Sequence, residues 1–132
     1  MIVIVTLDEA GGMSFNGRRQ SRDRAVLAQA LQLAAGKALW MAPESAPLFP
    51  GAPVRADADF LDKAGPGEFC WAEGQALRPY AERIEKLICF RWNRRYPGDV
   101  FLDLPLEDWR LTERVDFPGF SHEKITREVY VP

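Results

Sequence analysis

The last fifty residues, Arg83 to Pro132, constrain the fold of this chain more than any other segment. A continuous apolar run, Leu87 to Phe90, predicts a central strand, and a Gly-Asp turn follows it at Gly98. Apolar and charged residues then alternate from Trp109 to Val115, which is the period of a strand with one face in water. Glu123 to Val131 is expected to pair with that strand. The segment therefore predicts a sheet that ends in a C-terminal antiparallel hairpin.

The N-terminal third predicts a strand, a loop, a helix and a second strand. Ile2 to Leu7 is nearly all apolar and β-branched, which is typical of a strand buried on both faces. Asp8 to Gln20 carries three glycines and predicts a long mobile loop, after which Ser21 is placed to cap a helix with Asp23 in its first turn. Ala38 to Met41 predicts the second strand, joined to the first as a parallel pair by a right-handed crossover. The apolar stripe of the helix comprises Val26, Leu27, Ala30, Leu31, Leu33 and Ala34.

The middle of the chain is rich in proline. Residues Ala42 to Glu68 hold five of the ten prolines, a density that excludes a regular strand because each proline removes a hydrogen-bond donor. We predict a helical turn at Glu44 to Phe49 and a short helix at Asp57 to Ala64. A third strand, Glu68 to Ala72, and a helix near Gln75 to Ala81 then lead back to the sheet.

Length and composition indicate one globular domain. The 132 residues, 47% apolar and 27% charged, predict a single three-layer α/β domain over 1–132 with a mixed, mainly parallel sheet. No apolar run is long enough to span a bilayer, and the N-terminus lacks the features of a signal peptide. One histidine, His122, and two separated cysteines, Cys70 and Cys89, predict no metal site and two buried thiols. We therefore expect a cytoplasmic protein, and the net charge of −2 attracts neither nucleic acid nor membrane globally.

Two segments of the chain resemble dihydrofolate reductases. The stretch from Asp8 to Gly17 is similar to the mobile first loop of that family in length and glycine placement. Pro79-Tyr80-Ala81, the Gly98 to Leu102 turn and a strand led by Trp109 follow in the order of the family's closing segments. The resemblance covers roughly half of the chain and implies a dihydrofolate reductase-like fold of bacterial type.

The residues that hold the cofactor in that family are changed here. Met41-Ala42-Pro43-Glu44-Ser45 stands where the family places an arginine and a helix N-terminus on the cofactor phosphates, so only Met41 and the Ser45 hydroxyl remain of that motif. Ala72-Glu73-Gly74 replaces a pair of glycines that approaches the diphosphate. Because Glu44 and Glu73 oppose an anion, we expect no cofactor, and NADPH in its usual pose is disfavoured. Asp23 is the one carboxylate near the position of the family's proton-assisting acid, which makes it the only candidate catalytic residue.

Four arginines crowd the segment Arg18 to Arg24, and they predict either a solvated charged turn or an anion site at the start of the helix. The predicted function is the binding of a small anionic or nucleotide-like ligand near residues 11–24, without reductase activity. The candidate ligand-binding residues are Phe15, Arg19, Arg22, Asp23, Trp40 and Ser45.

Two alternatives remain open. The first is a nucleic-acid or protein interaction module that uses both arginine clusters, since a second group of basic and aromatic residues could stack bases. The second is a reductase with a non-standard cofactor pose, so the sequence leaves enzymatic activity undecided and favours its absence. The second arginine cluster comprises Arg91, Trp92, Arg94, Arg95 and Tyr96.

Overall fold

The computed structural model describes residues 1–132 and contains ten strands and two α-helices. The strands are β1 (Ile2–Leu7), β2 (Gly12–Phe15), β3 (Arg18–Arg19), β4 (Leu39–Met41), β5 (Arg55–Ala56), β6 (Phe69–Trp71), β7 (Lys86–Arg91), β8 (Val100–Phe101), β9 (Arg110–Phe117) and β10 (Ile125–Val131). The helices are α1 (Arg24–Leu33) and α2 (Phe60–Lys63), and single 3-10 segments lie at Ala46–Leu48, Arg78–Arg83 and Leu106–Asp108. No helix has the length and apolar character required to cross a membrane.

Seven strands form the main sheet in the order β5-β4-β6-β1-β7-β10-β9. The neighbours from β5 to β7 run parallel, whereas β10 is antiparallel to both β7 and β9. The apolar runs of β1 and β7 are buried on both faces, as expected of strands at the centre of a parallel sheet. This confirms the predicted α/β class, with a mixed, mainly parallel sheet and a C-terminal antiparallel hairpin.

Successive side chains of β1 point alternately into the two apolar layers on opposite faces of the sheet. Val3 and Val5 face the layer that contains Phe60 of α2, and Ile4 faces the layer that contains Val26 of α1. The helical layers on both faces confirm the three-layer arrangement. The predicted stripe of α1 is too wide, since Leu31 is exposed; the fully buried line repeats every four residues and consists of Val26, Ala30 and Ala34.

The prediction that β1 and β4 pair directly is wrong. Strand β4 does not touch β1 as a neighbour, because β6 lies between them and pairs in parallel with both. Phe69 faces Ile2 on one side and Leu39 on the other. The crossover from β1 to β4 therefore skips one position in the sheet, which local residue patterns do not encode.

The segment predicted as a long loop contains a hairpin. Strands β2 and β3 pair through a two-residue turn at Asn16 and Gly17, whose φ angles are +53° and +73°. Positive φ at both central residues and an Asn-Gly pair are the signature of a type I′ hairpin turn. Strand β8 pairs with the other side of β2, so the hairpin belongs to a small three-stranded sheet, β3-β2-β8.

Three further local predictions need correction. The residue that caps α1 is Asp23, not Ser21: its backbone is extended (φ −151°) and its carboxylate accepts the Ala25 N–H at 2.9 Å. Strand β9 is exposed along both faces because it is the sheet edge and no helix covers it. The proline-rich segment is predicted to hold no strand, but it contains one short strand, β5. This strand forms despite the nearby prolines because it lies at the other edge of the sheet, where one side of a strand needs no hydrogen-bond donors.

Candidate functional site

Two clefts flank the β2–β3 hairpin. The first, called cleft A here, lies between the hairpin and the carboxyl ends of β4 and β6 and has a volume of about 360 Å³. This edge of an α/β sheet is where ligands of such folds bind. Cleft A is lined by Ser14, Gly17, Arg18, Arg19, Ala42, Glu44, Ser45, Glu73, Gly74, Gln75 and Val100.

An internal ion pair occupies the centre of cleft A. The Arg19 guanidinium donates from Nε to Glu73 Oε2 at 2.9 Å and from Nη2 to Oε1 at 3.1 Å. The Ser45 hydroxyl donates to the same Oε1 at 2.6 Å. The hydrogen bond to Glu73 raises the pKa of Arg19 above its ordinary value. Two carboxylates, Glu73 and the exposed Glu44, thus line this cleft together with two arginines, and the formal charges cancel.

The second cleft, called cleft B here, lies on the other side of the hairpin and has a volume of about 300 Å³. Arg18 and Arg19 line it with the aromatic rings of Phe15 and Tyr96, and no carboxylate is among its lining residues. Arg18 forms no ion pair in the structure. Its guanidinium is therefore free to bind an anion. The remaining lining residues are Asn16, Gln20 and Pro97.

A buried polar cluster lies beside cleft B, where α1 begins. The carboxylate of Asp23 is 2% exposed and accepts hydrogen bonds on both oxygens. Oδ1 accepts the N–H groups of Ala25 at 2.9 Å and Phe120 at 3.0 Å. Oδ2 accepts the Ser121 N–H at 2.8 Å and its hydroxyl at 3.0 Å. The carboxylate thus ties the start of α1 to the turn between β9 and β10.

The imidazole of His122 completes this cluster. Its Nδ1 lies 3.0 Å from Asp23 Oδ2, and its Nε2 lies 3.2 Å from the Ser21 hydroxyl and 3.0 Å from the Tyr96 hydroxyl. The indole of Trp92 stacks on the ring with a centroid distance of 4.6 Å and an interplanar angle of 22°. The ring is thus held by contacts at both nitrogens and on one face. We call Ser21, Asp23, Tyr96, Ser121 and His122 the Asp23–His122 cluster.

The pKa of Asp23 reflects these contacts. Burial alone would raise the pKa of the carboxyl, but the hydrogen bonds from Phe120, His122, Ser121 and Ala25 outweigh it and hold the pKa well below its ordinary value. Asp23 is therefore ionised at neutral pH, and an ionised carboxylate acts as an acceptor from the facing imidazole.

Three of the six predicted site residues line the two clefts, and the other three lie outside them. Arg19 lines both clefts, Ser45 lines cleft A, and Phe15 lines cleft B with 46% of its surface exposed. Arg22 is exposed and lines neither cleft, and Asp23 is buried with its oxygens occupied by protein donors. Trp40 lies away from both clefts, where its indole N–H donates to Glu68 at 3.1 Å under the Arg55 guanidinium.

The structure also places the cysteines and the second arginine cluster. Burial raises the pKa of Cys70 and of Cys89 to about 12, so neither thiol is a nucleophile at neutral pH. Arg91 pairs with Glu128, and Trp92 is buried, which removes both from the surface that sequence reasoning assigned to a partner.

Sequence reasoning missed the contacts of His122 with Ser21 and Asp23. The separation of about one hundred residues between these partners leaves no local signal. It also missed the role of Tyr96, which lines cleft B and contacts His122.

Comparison with known proteins supports a fold but no closer relation. The sequence matches no protein-family model and no curated protein. Among solved structures, the chain is similar to a dihydrofolate reductase from Enterococcus faecalis complexed with NADP(H) and RAB-propyl, with a TM-score of 0.68 at 14% sequence identity. The match covers 98% of this chain and 94% of that enzyme. The chain therefore has the dihydrofolate reductase-like fold.

Proposed function

We propose that this protein binds a small anionic or nucleotide-like ligand in cleft B. The observation that carries the proposal is the unpaired Arg18 guanidinium beside two aromatic rings in a cleft without a lining carboxylate. A guanidinium binds phosphate or carboxylate through charge-assisted hydrogen bonds. The rings of Phe15 and Tyr96 offer apolar faces to a planar group, and stacking of a base on such a ring is worth about 1–3 kcal/mol. An anion linked to a planar ring would use both features.

We infer that the residues of cleft A do not fit the diphosphate of NADPH. The carboxylate of Glu73 already occupies the Arg19 guanidinium and the Ser45 hydroxyl. Of the two arginines that line this cleft, a phosphate would find only Arg18 unpaired. Glu44 adds a second negative charge to the same cleft. An unscreened like charge in a partly buried site opposes binding by several kcal/mol, on the order of 4 kcal/mol at a 4 Å separation.

Two observations favour a small ligand over a nucleic acid. The second arginine cluster loses its stacking indole, because Trp92 is buried against His122. It also loses the Arg91 charge, which Glu128 neutralises. A steep decline of affinity with salt for a single-stranded oligonucleotide would restore the nucleic-acid alternative.

The first prediction concerns Arg18. Adenosine monophosphate serves as the probe, since it joins one phosphate to a planar base. We expect Arg18→Gln to weaken its binding about tenfold, or ~1.4 kcal/mol, because the free guanidinium is removed. Isothermal titration calorimetry measures the change. Arg110→Gln is the matched control, since this exposed arginine on β9 forms no ion pair and lies outside both clefts.

Titration of NADPH in the same calorimetric experiment distinguishes the proposed small-ligand site from the reductase alternative. We expect NADPH to bind no more tightly than adenosine monophosphate, because Glu44 and Glu73 in cleft A oppose its diphosphate. Tight NADPH binding that is unaffected by Arg18→Gln would contradict the proposal and support a reductase with a different cofactor pose.

The second prediction concerns Glu73. We expect Glu73→Gln to strengthen binding of adenosine monophosphate about threefold to tenfold, because it frees the Arg19 guanidinium, which also lines cleft B, for the phosphate. The amide oxygen can still accept the Ser45 hydroxyl, so the fold should be kept. Glu44→Gln removes the same charge without releasing an arginine and should change the affinity less than about twofold. Equal effects of the two variants would show that only the net charge matters.

A further inference from the structure

The side chains of Ser21, His122 and Asp23 are aligned as in a nucleophilic catalytic site. The Ser21 hydroxyl lies 3.2 Å from His122 Nε2, and the opposite nitrogen, Nδ1, lies 3.0 Å from Asp23 Oδ2. This is the nucleophile–base–carboxylate order that activates a serine hydroxyl, and such sites are recognised by geometry and not by sequence position. We infer that Ser21 is the nucleophile of an ester-hydrolysing site, with His122 as its general base.

The carboxylate end of the arrangement is fixed. Asp23 accepts three backbone N–H groups and one hydroxyl in addition to the imidazole, so it cannot swing away from His122. Because an ionised carboxylate can only accept, Nδ1–H donates a hydrogen bond to Asp23 Oδ2, and in this tautomer the imidazole lone pair lies on Nε2. The lone pair of the base then faces the Ser21 hydroxyl.

The imidazole is held in place for the same role. His122 is 5% exposed, and the Trp92 indole covers one face of the ring. A base that is pre-oriented in this way loses little entropy when it accepts the serine proton. Asp23 and Trp92 act through His122 and are positioning residues.

The nucleophile lies at the border of cleft B. Ser21 is half-buried, and it follows Gln20, which lines the cleft. Tyr96 also lines the cleft and reaches His122 with its hydroxyl. A molecule bound in cleft B therefore contacts Gln20 and Tyr96, and Tyr96 shares His122 Nε2 with Ser21. The backbone N–H of Arg22, the next residue, donates to no backbone carbonyl, which is a condition for a donor to a developing oxyanion.

The reaction is a two-step hydrolysis of a small carboxylic ester. Ser21 Oγ bonds to the carbonyl carbon as its proton passes to His122 Nε2, and that proton leaves with the alcohol when the C–O bond of the ester breaks. Water, deprotonated by His122 Nε2, then bonds to the acyl carbon; the bond from that carbon to Ser21 Oγ breaks, the acid leaves, and His122 returns the proton to Ser21 Oγ. One ester and one water give one acid and one alcohol, with no change of oxidation state. We expect the acyl group to carry an anionic substituent, and this expectation rests on the function proposed for cleft B.

Tyr96 competes with Ser21 for the lone pair on His122 Nε2. The neutral imidazole has one lone pair at Nε2, and two hydroxyl groups lie within hydrogen-bond distance of it. When Tyr96 donates to that lone pair, Ser21 is not activated. Removal of the phenol hydroxyl should therefore increase the reactivity of Ser21.

Labelling with diisopropyl fluorophosphate tests the inference, because the reagent forms an O–P bond with an activated serine and releases fluoride. We expect one label per chain, located on Ser21 by peptide mass spectrometry. Ser21→Ala should abolish the label, His122→Gln should slow it about 100-fold or more, and Tyr96→Phe should accelerate it. Thr112→Ala, which removes an exposed hydroxyl on β9, should leave the rate unchanged.

The result for the unmodified chain is decisive by itself, since it does not depend on any variant folding. Absence of a label on Ser21, or a rate that His122→Gln leaves unchanged in a variant with native circular dichroism, would overturn the inference. The reagent is uncharged and small, so it does not need Arg18. Labelling that survives Arg18→Gln while nucleotide binding fails would separate the catalytic site from the proposed anion site.

Discussion

Replacement of Asp23 by alanine is expected to lower the free energy of unfolding by about 3–5 kcal/mol, the range found when one partner of a buried polar network is removed. The carboxylate is the common acceptor of Ala25, Phe120 and Ser121 at the junction of α1 with the β9–β10 turn. Without it, three partly buried N–H groups lose their acceptor, and each fully buried donor left unsatisfied would cost about 1–3 kcal/mol. The helix also loses its N-cap, worth about 1 kcal/mol.

Urea-induced unfolding followed by tryptophan fluorescence measures this loss. Asp108→Ala is the matched control, because that carboxylate is exposed in a 3-10 segment and accepts no hydrogen bond from a distant residue. We expect the control to change the unfolding free energy by less than about 0.5 kcal/mol. A similar small effect for Asp23→Ala would mean that water replaces the carboxylate, and the cluster would then not hold the structure together.

The contribution of Asp23 should depend on pH in a defined direction. Its pKa in the folded chain lies below the ordinary value of 3.8, so the unfolded chain binds this proton more readily. Stability from this group is therefore complete above about pH 4 and declines as the pH falls below that value. The difference between the unmodified chain and Asp23→Ala should shrink progressively from about pH 4 towards pH 2.

The second large effect is expected at Gly119, which lies against the same cluster. A Cβ atom added there would lie 2.6 Å from Asp23 Oδ2, 2.8 Å from Ile125 Cδ1 and 2.9 Å from the His122 carbonyl oxygen. Real Cβ atoms do not approach other atoms this closely, so the β9–β10 turn must move. We expect Gly119→Ala to cost about 3 kcal/mol, near the upper end for overpacking, because one of the obstructing atoms belongs to the backbone.

Gly65→Ala is the control for this substitution. A Cβ at Gly65 meets Glu68 Oε1 at 3.4 Å, an ordinary contact. Its unfolding free energy should stay unchanged or rise by up to about 1 kcal/mol, since alanine restricts the unfolded chain. Thermal unfolding monitored by circular dichroism compares the two. If Gly119→Ala behaves like Gly65→Ala, the turn is adaptable and the Asp23–His122 cluster is not held as tightly as its contacts indicate.

The arrangement of the strand-forming segments follows directly from residue pattern. The apolar runs of β1 and β7 have almost no polar residue to place in water, so they must lie at the centre of a sheet covered on both faces. In the Trp109 to Val131 region, apolar and charged residues alternate and a short connection joins two strands that are consecutive in sequence. Their antiparallel pairing can therefore be predicted from neighbouring residues alone. Strand order is different in kind: β6 inserts between β1 and β4 through contacts between distant residues, and no local pattern predicted it.

The candidate site divides along the same line. The sequence by itself determined that the acidic residues Glu44 and Glu73 follow the second and third predicted strands and that arginines crowd the start of α1, because residue type and order carry charge. Only the tertiary structure decided which charges are free. Arg19 is neutralised by a residue 54 positions away, and Asp23 is buried among partners about one hundred residues distant. Ion pairing and burial depend on which segments meet in space, and that meeting is set by the packing of the whole chain.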